Sequence, residues 1–598
     1  MLVEPECKKM NERIRRLLQK LVSLQKSKTA MKKIVVFLLC LASFTSLPVD
    51  AQDYFSHHPG LPDCVLFHAA GRRTLTDEEA RLSFILPTYF IYPDGPVGNE
   101  QAKAIIDVIG LDGALSAYTG NIMIINPSAG DDYSDEADFK VYETIFNTLR
   151  VFVNLKVIGI GKGATFVNRV IAPAAGEVAG IVSIGGAASS KAVVGATVPA
   201  YIAGRNASKA AKAYIDRNNA RRIEGDKNRK VYINAEEPLL KVVVNTSKNA
   251  GLKELFADAW ESVLSQNYRS SNWGHTNYMG ALLGQYGEYE LEPYPLFDRL
   301  GIRRVICAKQ ITPRSKQIVA NYLWYEYIPS SAESVPERTV PLVVLLHGHS
   351  NDPRTQAETG GFLELCAKER FIIAELEWQG KNEFNYMDDD GIEVTVREIL
   401  RRYPQIDPSR IYVEGLSAGA FAATAIGIKK PYLFAAVGAH SGGLFTREVT
   451  LGFPFQEPDG IWQAASFLRG KTTTPYFCIS GTVDEVVPFP NSGSPNGMLL
   501  FNAWKLYHHV NGLSMQDAPD TEKYPIFGIP LQNRRRVGTN KRHDMDMGDV
   551  LVNGLPVIRI VAVENFGHGN FVPGAQQMWD FFRHWSRDQV TFQPVWTD

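Results

Sequence analysis

Short apolar runs alternate with helix-like stretches in two successive series along this chain of 598 residues. The runs are rich in β-branched residues and are bounded by Gly, Pro, Asn or Asp, which is typical of buried parallel strands. In the first half they span residues 86–92, 121–126, 153–159, 180–184 and 198–203. In the second half they span residues 342–346, 371–376, 411–414, 435–439, 475–480 and 557–563. The pattern predicts an α/β fold with two domains, each a mostly parallel sheet flanked by helices.

A single hydrophobic core rarely grows beyond about 250–300 residues, so two domains are also expected from the length. Residues 286–314 are rich in Tyr, Pro and Gly and show little periodicity. We therefore expect a first domain over residues 52–310 and a second over residues 311–598, with residues 322–328 as an early edge strand of the second domain.

The N-terminal segment has the pattern of a targeting sequence. Residues 31–51 begin with Met31 and two lysines, continue with an apolar run too short to span a bilayer, and end at Ala51, a small residue suited to cleavage. This predicts a mature chain that is periplasmic or secreted. Residues 1–30 are then expected to be a non-native extension, the alternative being a basic amphipathic helix. No other apolar stretch is long enough to predict a membrane span.

Charge and cysteine usage exclude several classes of protein. The 63 Lys and Arg residues balance 64 Asp and Glu residues, so no nucleic-acid partner is expected. The four cysteines of the mature chain form no CxxC pair, which argues against a zinc ribbon or a thioredoxin motif and leaves one unassigned disulfide open. No metal or organic cofactor is expected.

The sharpest motif is a Gly-x-Ser-x-Gly turn between a strand and a helix of small residues. Ser417 lies in this turn between Gly415 and Gly419. Such a turn raises a serine on a tight strand-to-helix bend, where neighbouring backbones leave no room for other side chains. The motif predicts Ser417 as a nucleophile; the alternative is a plain turn packed by glycines.

An acid and a histidine follow in the order that this kind of serine enzyme requires. Asp484 comes just after the predicted strand 475–480, with Glu485 as its fallback, and the alternative is a turn aspartate that caps the loop. His568 stands between two glycines after the last predicted strand and is the expected general base.

A second loop is suited to bind an oxyanion. The strand 342–346 ends in His347 and Gly348, and the backbone N–H of His349 is expected to act together with that of Ala418. A zinc site that uses His347 and His349 is the competing interpretation, but it lacks a third ligand at a suitable spacing.

Several further motifs of the second half accompany this set: Leu345-Leu346-His347-Gly348, a helix start at Asp388-Asp389-Asp390, Ile406-Asp407-Pro408-Ser409-Arg410 before the serine turn, and Gly481-Thr482-Val483-Asp484. With them, residues 320–590 resemble the α/β-hydrolase esterases of the polyhydroxybutyrate-depolymerase and feruloyl or acetylxylan-esterase type. The resemblance implies Ser417 as nucleophile, Asp484 as orienting acid and His568 as base. Residues 492–550 depart from it and are expected to be an insertion able to cover the site.

The first half contains a similar turn without a nucleophile. Gly161 stands where the serine would be, and no carboxylate follows the strand 198–203, while His275 lies in a long polar segment. This predicts an α/β-hydrolase-like domain that has lost its catalytic residues. The alternative is a phosphate-binding loop at residues 159–163, which lacks the spacing of a P-loop.

These observations predict a secreted serine carboxyl-ester hydrolase that acts on acylated or feruloylated polysaccharides or on small polyesters. A serine peptidase on the same fold and a non-enzymatic binding protein are the alternatives. Trp378 follows a strand and could line the pocket, although core packing is the simpler interpretation. The sequence does not specify the oligomeric state.

Overall fold

The computed structural model describes residues 54–69, 75–76, 85–111, 120–149, 154–174, 176–189, 196–270, 290–313, 319–445, 458–539 and 543–598. The predicted extension, the signal sequence with its cleavage position at Ala51, and His275 lie outside the described residues. His57–Asp598 forms one unit that contains two large sheets.

The first sheet has nine strands. They are β1 (Val65–His68), β2 (Thr88–Tyr92), β3 (Asn121–Ile125), β4 (Leu155–Ile160), β5 (Val178–Ile184), β6 (Ala200–Ala203), β7 (Arg221–Gly225), β8 (Arg229–Ile233) and β9 (Lys241–Asn245). Their spatial order is β1-β3-β2-β4-β5-β6-β9-β8-β7. The six central strands, β3-β2-β4-β5-β6-β9, are parallel. The outer strands, β1 on one side and β8 and β7 on the other, pair antiparallel with their neighbours.

A pair of short strands, β10 (Asn267–Ser270) and β11 (Glu290–Pro293), separates this sheet from the next along the chain. The second sheet comprises β12 (Ile302–Ile311), β13 (Ala320–Pro329), β14 (Val340–Leu346), β15 (Ile372–Leu376), β16 (Ile406–Leu416), β17 (Ala436–His440), β18 (Tyr476–Gly481), β19 (Gln532–Val537), β20 (Met545–Val552) and β21 (Leu555–Val563). Its order is β12-β13-β15-β14-β16-β17-β18-β21-β20-β19. A last pair is β22 (Trp585–Arg587) with β23 (Pro594–Trp596).

The two sheets share one strand order. From β13 onward, the second sheet repeats the order of the first, with the same parallel centre and the same antiparallel hairpin beyond it. The predicted α/β architecture with two mostly parallel sheets is therefore confirmed, and each predicted strand is present.

The second sheet begins at Ile302, close to the domain boundary expected near residue 310. Two details differ from the sequence interpretation. β13, which contains residues 322–328, is covered by β12 and is not the edge strand. Within residues 492–550, the helix Met498–Val510 and the hairpin β19–β20 correspond to elements that the first sheet also has, so the segment is not an insertion as a whole.

Helices cover the sheets. They are α1 (Asn99–Ile109), α2 (Ala137–Leu149), α3 (Lys162–Phe166), α4 (Ala207–Arg217), α5 (Leu252–Ala259), α6 (Phe297–Leu300), α7 (Thr355–Thr359), α8 (Phe362–Glu369), α9 (Asp389–Arg402), α10 (Ala418–Lys429), α11 (Pro458–Leu468), α12 (Met498–Val510) and α13 (Val572–Phe582). Single π-helical turns, Val167–Ile171 and Trp260–Leu264, extend α3 and α5.

The local sequence explains how these elements form. The parallel strands β2, β14 and β15 are buried along their whole length, because helices cover both faces of the sheet. α9 begins as expected at Asp388, whose carboxylate accepts the N–H of Gly391, and it has arginines in its last turn, which suits the helix dipole. α10 is apolar on all sides and nearly all of its residues are buried, so it is a central helix of the domain.

In the described part of the chain, no helix is both long and apolar enough to cross a membrane. The four cysteines of the described residues, Cys64, Cys307, Cys366 and Cys478, are free thiols.

Candidate active site

Ser417 occupies a strained turn between β16 and α10. Its backbone has φ of +53° and ψ of −119°, a conformation that costs a non-glycine residue about 1–3 kcal/mol. The turn is tight, because a Cβ on Gly419 would lie 1.9 Å from the carbonyl oxygen of Leu346, and one on Gly415 would lie 2.3 Å from the backbone of Gly419. The N–H of Ser417 donates to the carbonyl of His440 at 2.8 Å, which fixes the turn to the neighbouring strand.

His568 and Asp484 are in direct contact. The Nδ1 atom of His568 lies 2.8 Å from Oδ2 of Asp484, and both side chains are buried. The other oxygen of Asp484 accepts the N–H groups of Val486 and Val487, both at 2.8 Å. A carboxylate oxygen accepts, so Nδ1 of His568 donates in this bond, and Nε2 is the ring nitrogen on the side away from Asp484. Glu485, the alternative acid, is exposed, whereas Asp484 is buried.

The three predicted residues follow the carboxyl ends of strands in the second sheet. Ser417 follows β16, Asp484 follows β18, and His568 follows β21, and these strands are parallel in the order β16-β17-β18-β21. The carboxyl ends of parallel strands are where α/β sheets form their sites. The structure therefore brings Asp484 and His568 into contact and places Ser417 at the same edge, with β17 between β16 and β18.

The loop after β14 is held by the segment that follows β15. Trp378 is fully buried, and its indole N–H donates to the carbonyl of His347 at 2.9 Å. Gln379 accepts the N–H of Ser350 at 2.8 Å and donates to the carbonyl of Gly348 at 3.2 Å. Trp378 is thus a brace in the core rather than an exposed pocket wall.

The two predicted oxyanion donors lie at neighbouring strand ends. His349 is exposed in the braced loop after β14, and Ala418 is the first residue of α10, after β16. β14 and β16 are paired in parallel. His347, by contrast, is buried with Nδ1 2.9 Å from the carbonyl of Gly348 and Nε2 3.5 Å from Glu377. Among the residues that the structure describes, no group of three His, Cys, Asp or Glu side chains is placed to hold a metal ion.

A buried polar network behind the site was not predicted from the sequence. Gln356 donates to both carboxylate oxygens of Glu414, at 2.8 and 2.7 Å, and accepts from the amide of Asn570 at 3.1 Å. Burial raises the pKa of Glu414 to about 8. His440 accepts the N–H of Phe571 through Nε2 at 3.0 Å, and burial, with the charge of His568, lowers the pKa of His440 to about 3. The sequence signal for this network is an acid, Glu414, and a histidine, His440, next to apolar strand residues.

The first sheet repeats the turn around a different residue. Gly161 has φ of +56° and ψ of −114°, and its N–H donates to the carbonyl of Ile184 at 2.8 Å. The carboxylate of Asp94 accepts the N–H of Lys162, the residue equivalent to Ala418, at 2.7 Å. A Cβ on Gly161 would lie 2.1 Å from this carboxylate. Asp94 therefore occupies the space where a phosphate would have to bind in the alternative interpretation of residues 159–163.

Part of the second half matches the model of a known family. Residues 323–491 match the family model Esterase PHB depolymerase. This confirms the resemblance predicted from the sequence, and it supports a carboxylic ester hydrolase. The matched segment contains Ser417 and Asp484, whereas His568 lies beyond it.

Individual proteins are similar to this chain at low sequence identity or over part of its length. Poly(3-hydroxyalkanoate) depolymerase C of Paucimonas lemoignei is 29% identical over 136 residues, which are 21% of this chain and 32% of that protein. The chain thus spans about a third of the length of this relative. Among solved structures, an acetyl xylan esterase from Aspergillus awamori (11% identity, TM-score 0.32) covers 47% of this chain over 99% of its own length. An S-formylglutathione hydrolase from Agrobacterium tumefaciens (12% identity, TM-score 0.32) covers 47% over 95%.

Proposed function

We propose that the second domain is a serine carboxyl-ester hydrolase, with Ser417 as nucleophile, His568 as general base and Asp484 as the acid that orients it. The observation that carries this proposal is the 2.8 Å contact between Nδ1 of His568 and Asp484, at the sheet edge where Ser417 lies in a strained turn. The match to the esterase family supports the same reaction class.

The geometry suggests how the residues act in turn. Nε2 of His568 takes the proton of Ser417 as its Oγ attacks the ester carbonyl carbon, and Asp484 stabilises the imidazolium that forms. The imidazolium then gives this proton to the alcohol that leaves, and an acyl-enzyme remains on Ser417. Water, deprotonated by His568, attacks the acyl carbon, and Ser417 recovers its proton as the acid is released.

The negative oxygen of each tetrahedral intermediate would be held by the N–H groups of His349 and Ala418. The N–H of Ala418 is one of the first in α10 and has no acceptor within the helix. The first domain supports this role, because there the equivalent N–H of Lys162 binds a carboxylate oxygen.

We propose an extracytoplasmic location after cleavage near Ala51, with an acylated or feruloylated polysaccharide or a small polyester as substrate. The basic and apolar pattern of residues 31–51 supports the location. The name of the Paucimonas lemoignei relative, a poly(3-hydroxyalkanoate) depolymerase, supports a polyester. Mass spectrometry of the protein purified from its own cells is expected to find Gln52 as the first residue.

We also propose that the first domain has no hydrolytic activity. Gly161 has no side chain with which to attack a carbonyl, and Asp94 fills the place of the oxyanion. The domain would then serve binding or packing.

The test is hydrolysis of p-nitrophenyl acetate and butyrate by residues 52–598, beside the Ser417→Ala variant. We expect the variant to lose about 10⁴-fold or more in kcat, because loss of the nucleophile removes the acyl-enzyme route. Lys162→Ala is the matched control, because it places in the turn of the first sheet the alanine that Ala418 provides in the second. The rate of this variant is expected to be unchanged.

Equal rates in the wild type and Ser417→Ala would contradict the proposal. A matched p-nitroanilide substrate tests the peptidase alternative: an esterase cleaves it far more slowly, and a similar rate would favour a peptidase. If neither substrate reacts, a fluorophosphonate that labels the wild type but not Ser417→Ala would still identify an activated serine.

A further inference from the structure

His440 connects the two segments that carry the proposed nucleophile and base. Its backbone carbonyl accepts the N–H of Ser417 at 2.8 Å. Its imidazole Nε2 accepts the N–H of Phe571, three residues after His568, at 3.0 Å. A backbone N–H can only donate, so Nε2 is unprotonated and the neutral ring carries its proton on Nδ1. A single residue at the end of β17 thus bonds to the Ser417 turn with its backbone and to the His568 loop with its side chain.

The surroundings hold this ring in place. The ring is buried, and Nδ1 lies 3.8 Å from Oε1 of Glu414, which is itself bonded to Gln356. Gly574, in the first turn of α13, also lies near the ring, because an added Cβ there would be 3.5 Å from Cε1 and 3.9 Å from Nε2. The buried imidazole is thus enclosed by β16 and α13, with Nε2 bonded to the loop of His568.

The first sheet shows that the fold does not need this imidazole. Ile184 occupies the position of His440, and its carbonyl accepts the N–H of Gly161 at the same 2.8 Å. Ile158 likewise occupies the position of Glu414. Both polar side chains are replaced by isoleucine in the sheet that lacks a nucleophile, although the turn itself is retained.

We propose that His440 is a positioning residue for ester hydrolysis: its imidazole holds the loop of His568 at a fixed distance from the turn of Ser417. This inference rests on the proposed function of these two residues. His440 does not touch the substrate or exchange protons in the reaction. Its neutral ring adds no positive charge beside His568 when His568 becomes an imidazolium, so it supports the loop without opposing the proton transfer.

The test compares two substitutions in the chain 52–598. His440→Met fills a similar volume and offers no good acceptor, whereas His440→Gln places an amide oxygen within reach of the N–H of Phe571. We expect kcat for p-nitrophenyl acetate to fall about 10- to 100-fold in His440→Met, because the buried N–H of Phe571 loses its acceptor. KM should change less than about threefold. His440→Gln should recover most of kcat. Ile184→Met is the matched control in the first sheet and should leave both constants unchanged.

A second readout does not depend on turnover. The proton shared by His568 and Asp484 is expected to give a low-field resonance in the proton NMR spectrum, measured in a Ser417→Ala background. His440→Met should broaden this resonance through faster exchange with water, and His440→Gln should preserve it. If hydrolysis proves independent of Ser417 while the resonance still responds to His440, the proposed function fails, and His440 then holds the loop of His568 without serving ester hydrolysis.

Other outcomes would overturn the inference. It is wrong if His440→Met keeps full kcat, if His440→Gln falls as far as His440→Met, or if only KM changes. Should His440→Met fail to fold, His440→Asn replaces it, because its shorter amide cannot reach Phe571. The resonance must then be lost in His440→Asn and kept in His440→Gln.

Discussion

The two sheets of this chain have the same strand order and the same sharp turn after the equivalent strand, but different residues in that turn. At Ser417 and Gly161, φ differs by only a few degrees, and each N–H donates to the neighbouring strand at 2.8 Å. In the second sheet the turn presents a hydroxyl, and in the first Asp94 fills the same space. The comparison separates what the fold requires from what the proposed chemistry adds.

The fold requires a close approach of backbones at the turn. Gly163 and Gly419 meet the carbonyls of Tyr92 and Leu346 in the same way, and neither position has room for a side chain. The proposed chemistry adds a serine, an acid, a histidine and the buried polar network behind them. The first sheet shows that the fold persists without any of these.

Among exchanges of residues between the two sheets, the largest expected effect comes from placing in the second sheet the asparagine that the first sheet has at the position of Asp484. The N–H of Thr482 and of Gly204 donate to equivalent carbonyls, at 2.9 and 3.0 Å, which makes Asn206 the counterpart of Asp484. Asp484→Asn should lower kcat for p-nitrophenyl acetate by about 10³- to 10⁴-fold, because an amide favours the wrong tautomer of His568. The reverse change, Asn206→Asp, should have no effect. A loss below about tenfold in Asp484→Asn would show that the acid is elsewhere.

Glu414, one of the buried acids of the second sheet, should make stability depend on pH. The folded pKa of Glu414, about 8, lies above its unfolded value, so the unfolded state releases the proton first as pH rises. Between pH 5 and 8, the free energy of unfolding of the wild type should therefore fall, relative to Glu414→Gln, by on the order of 3 kcal/mol. Urea denaturation at several pH values measures this difference. Parallel curves for the two proteins would contradict it.

Restoring a serine in the first sheet should cost stability without adding activity. In Gly161→Ser, the new Cβ would collide with Asp94, and the free energy of unfolding should fall by about 2 kcal/mol. The double variant with Asp94→Gly relieves the collision and should recover about half of the loss. In a Ser417→Ala background neither variant is expected to hydrolyse esters. Hydrolysis there would mean that the first domain retains a base.

The smallest expected effect concerns a brace common to both sheets. The indole of Trp378 donates to the carbonyl of His347, and the hydroxyl of Tyr133 lies 3.1 Å from the equivalent carbonyl of Pro93. Trp378→Phe should cost about 1–2 kcal/mol and Tyr133→Phe about 1 kcal/mol of unfolding free energy. Only Trp378→Phe is expected to reduce kcat as well, because the Trp378 indole supports the loop that contains His349. Equal kinetic effects of the two would argue against a separate role for that loop.

The sequence predicted the parts of this structure that depend on local pattern. Buried parallel strands are continuous apolar runs, and a serine turn needs glycines at fixed spacing, so β16, α10 and Ser417 could be located directly. The contact between Asp484 and His568 could be expected from their places after parallel strands, although the distance along the chain is 84 residues.

Other features depend on partners that are distant in sequence. β12 and β19 carry exposed polar residues because they lie at sheet edges, and an alternating or charged run does not reveal its neighbour. His440 follows the apolar run 435–439, and the pattern does not reveal its contact with Phe571, which is 131 residues away. The shared strand order could not be predicted from the sequence either, because β7–β9 and β19–β21 are similar in topology and not in residues.

The exchange of Ile158 and Ile184 in the first sheet for Glu414 and His440 in the second has a consequence for the route by which the chain folds. Two neighbouring domains with one topology risk exchanging equivalent strands before either is complete. If β16 paired in the place of β4, Glu414 would enter the core at the position of Ile158, without the amide of Gln356 that binds it in its own sheet. Burying an unpartnered carboxyl group costs several kcal/mol. Glu414, which lies behind the proposed active site, therefore also favours the pairing of β16 within its own sheet.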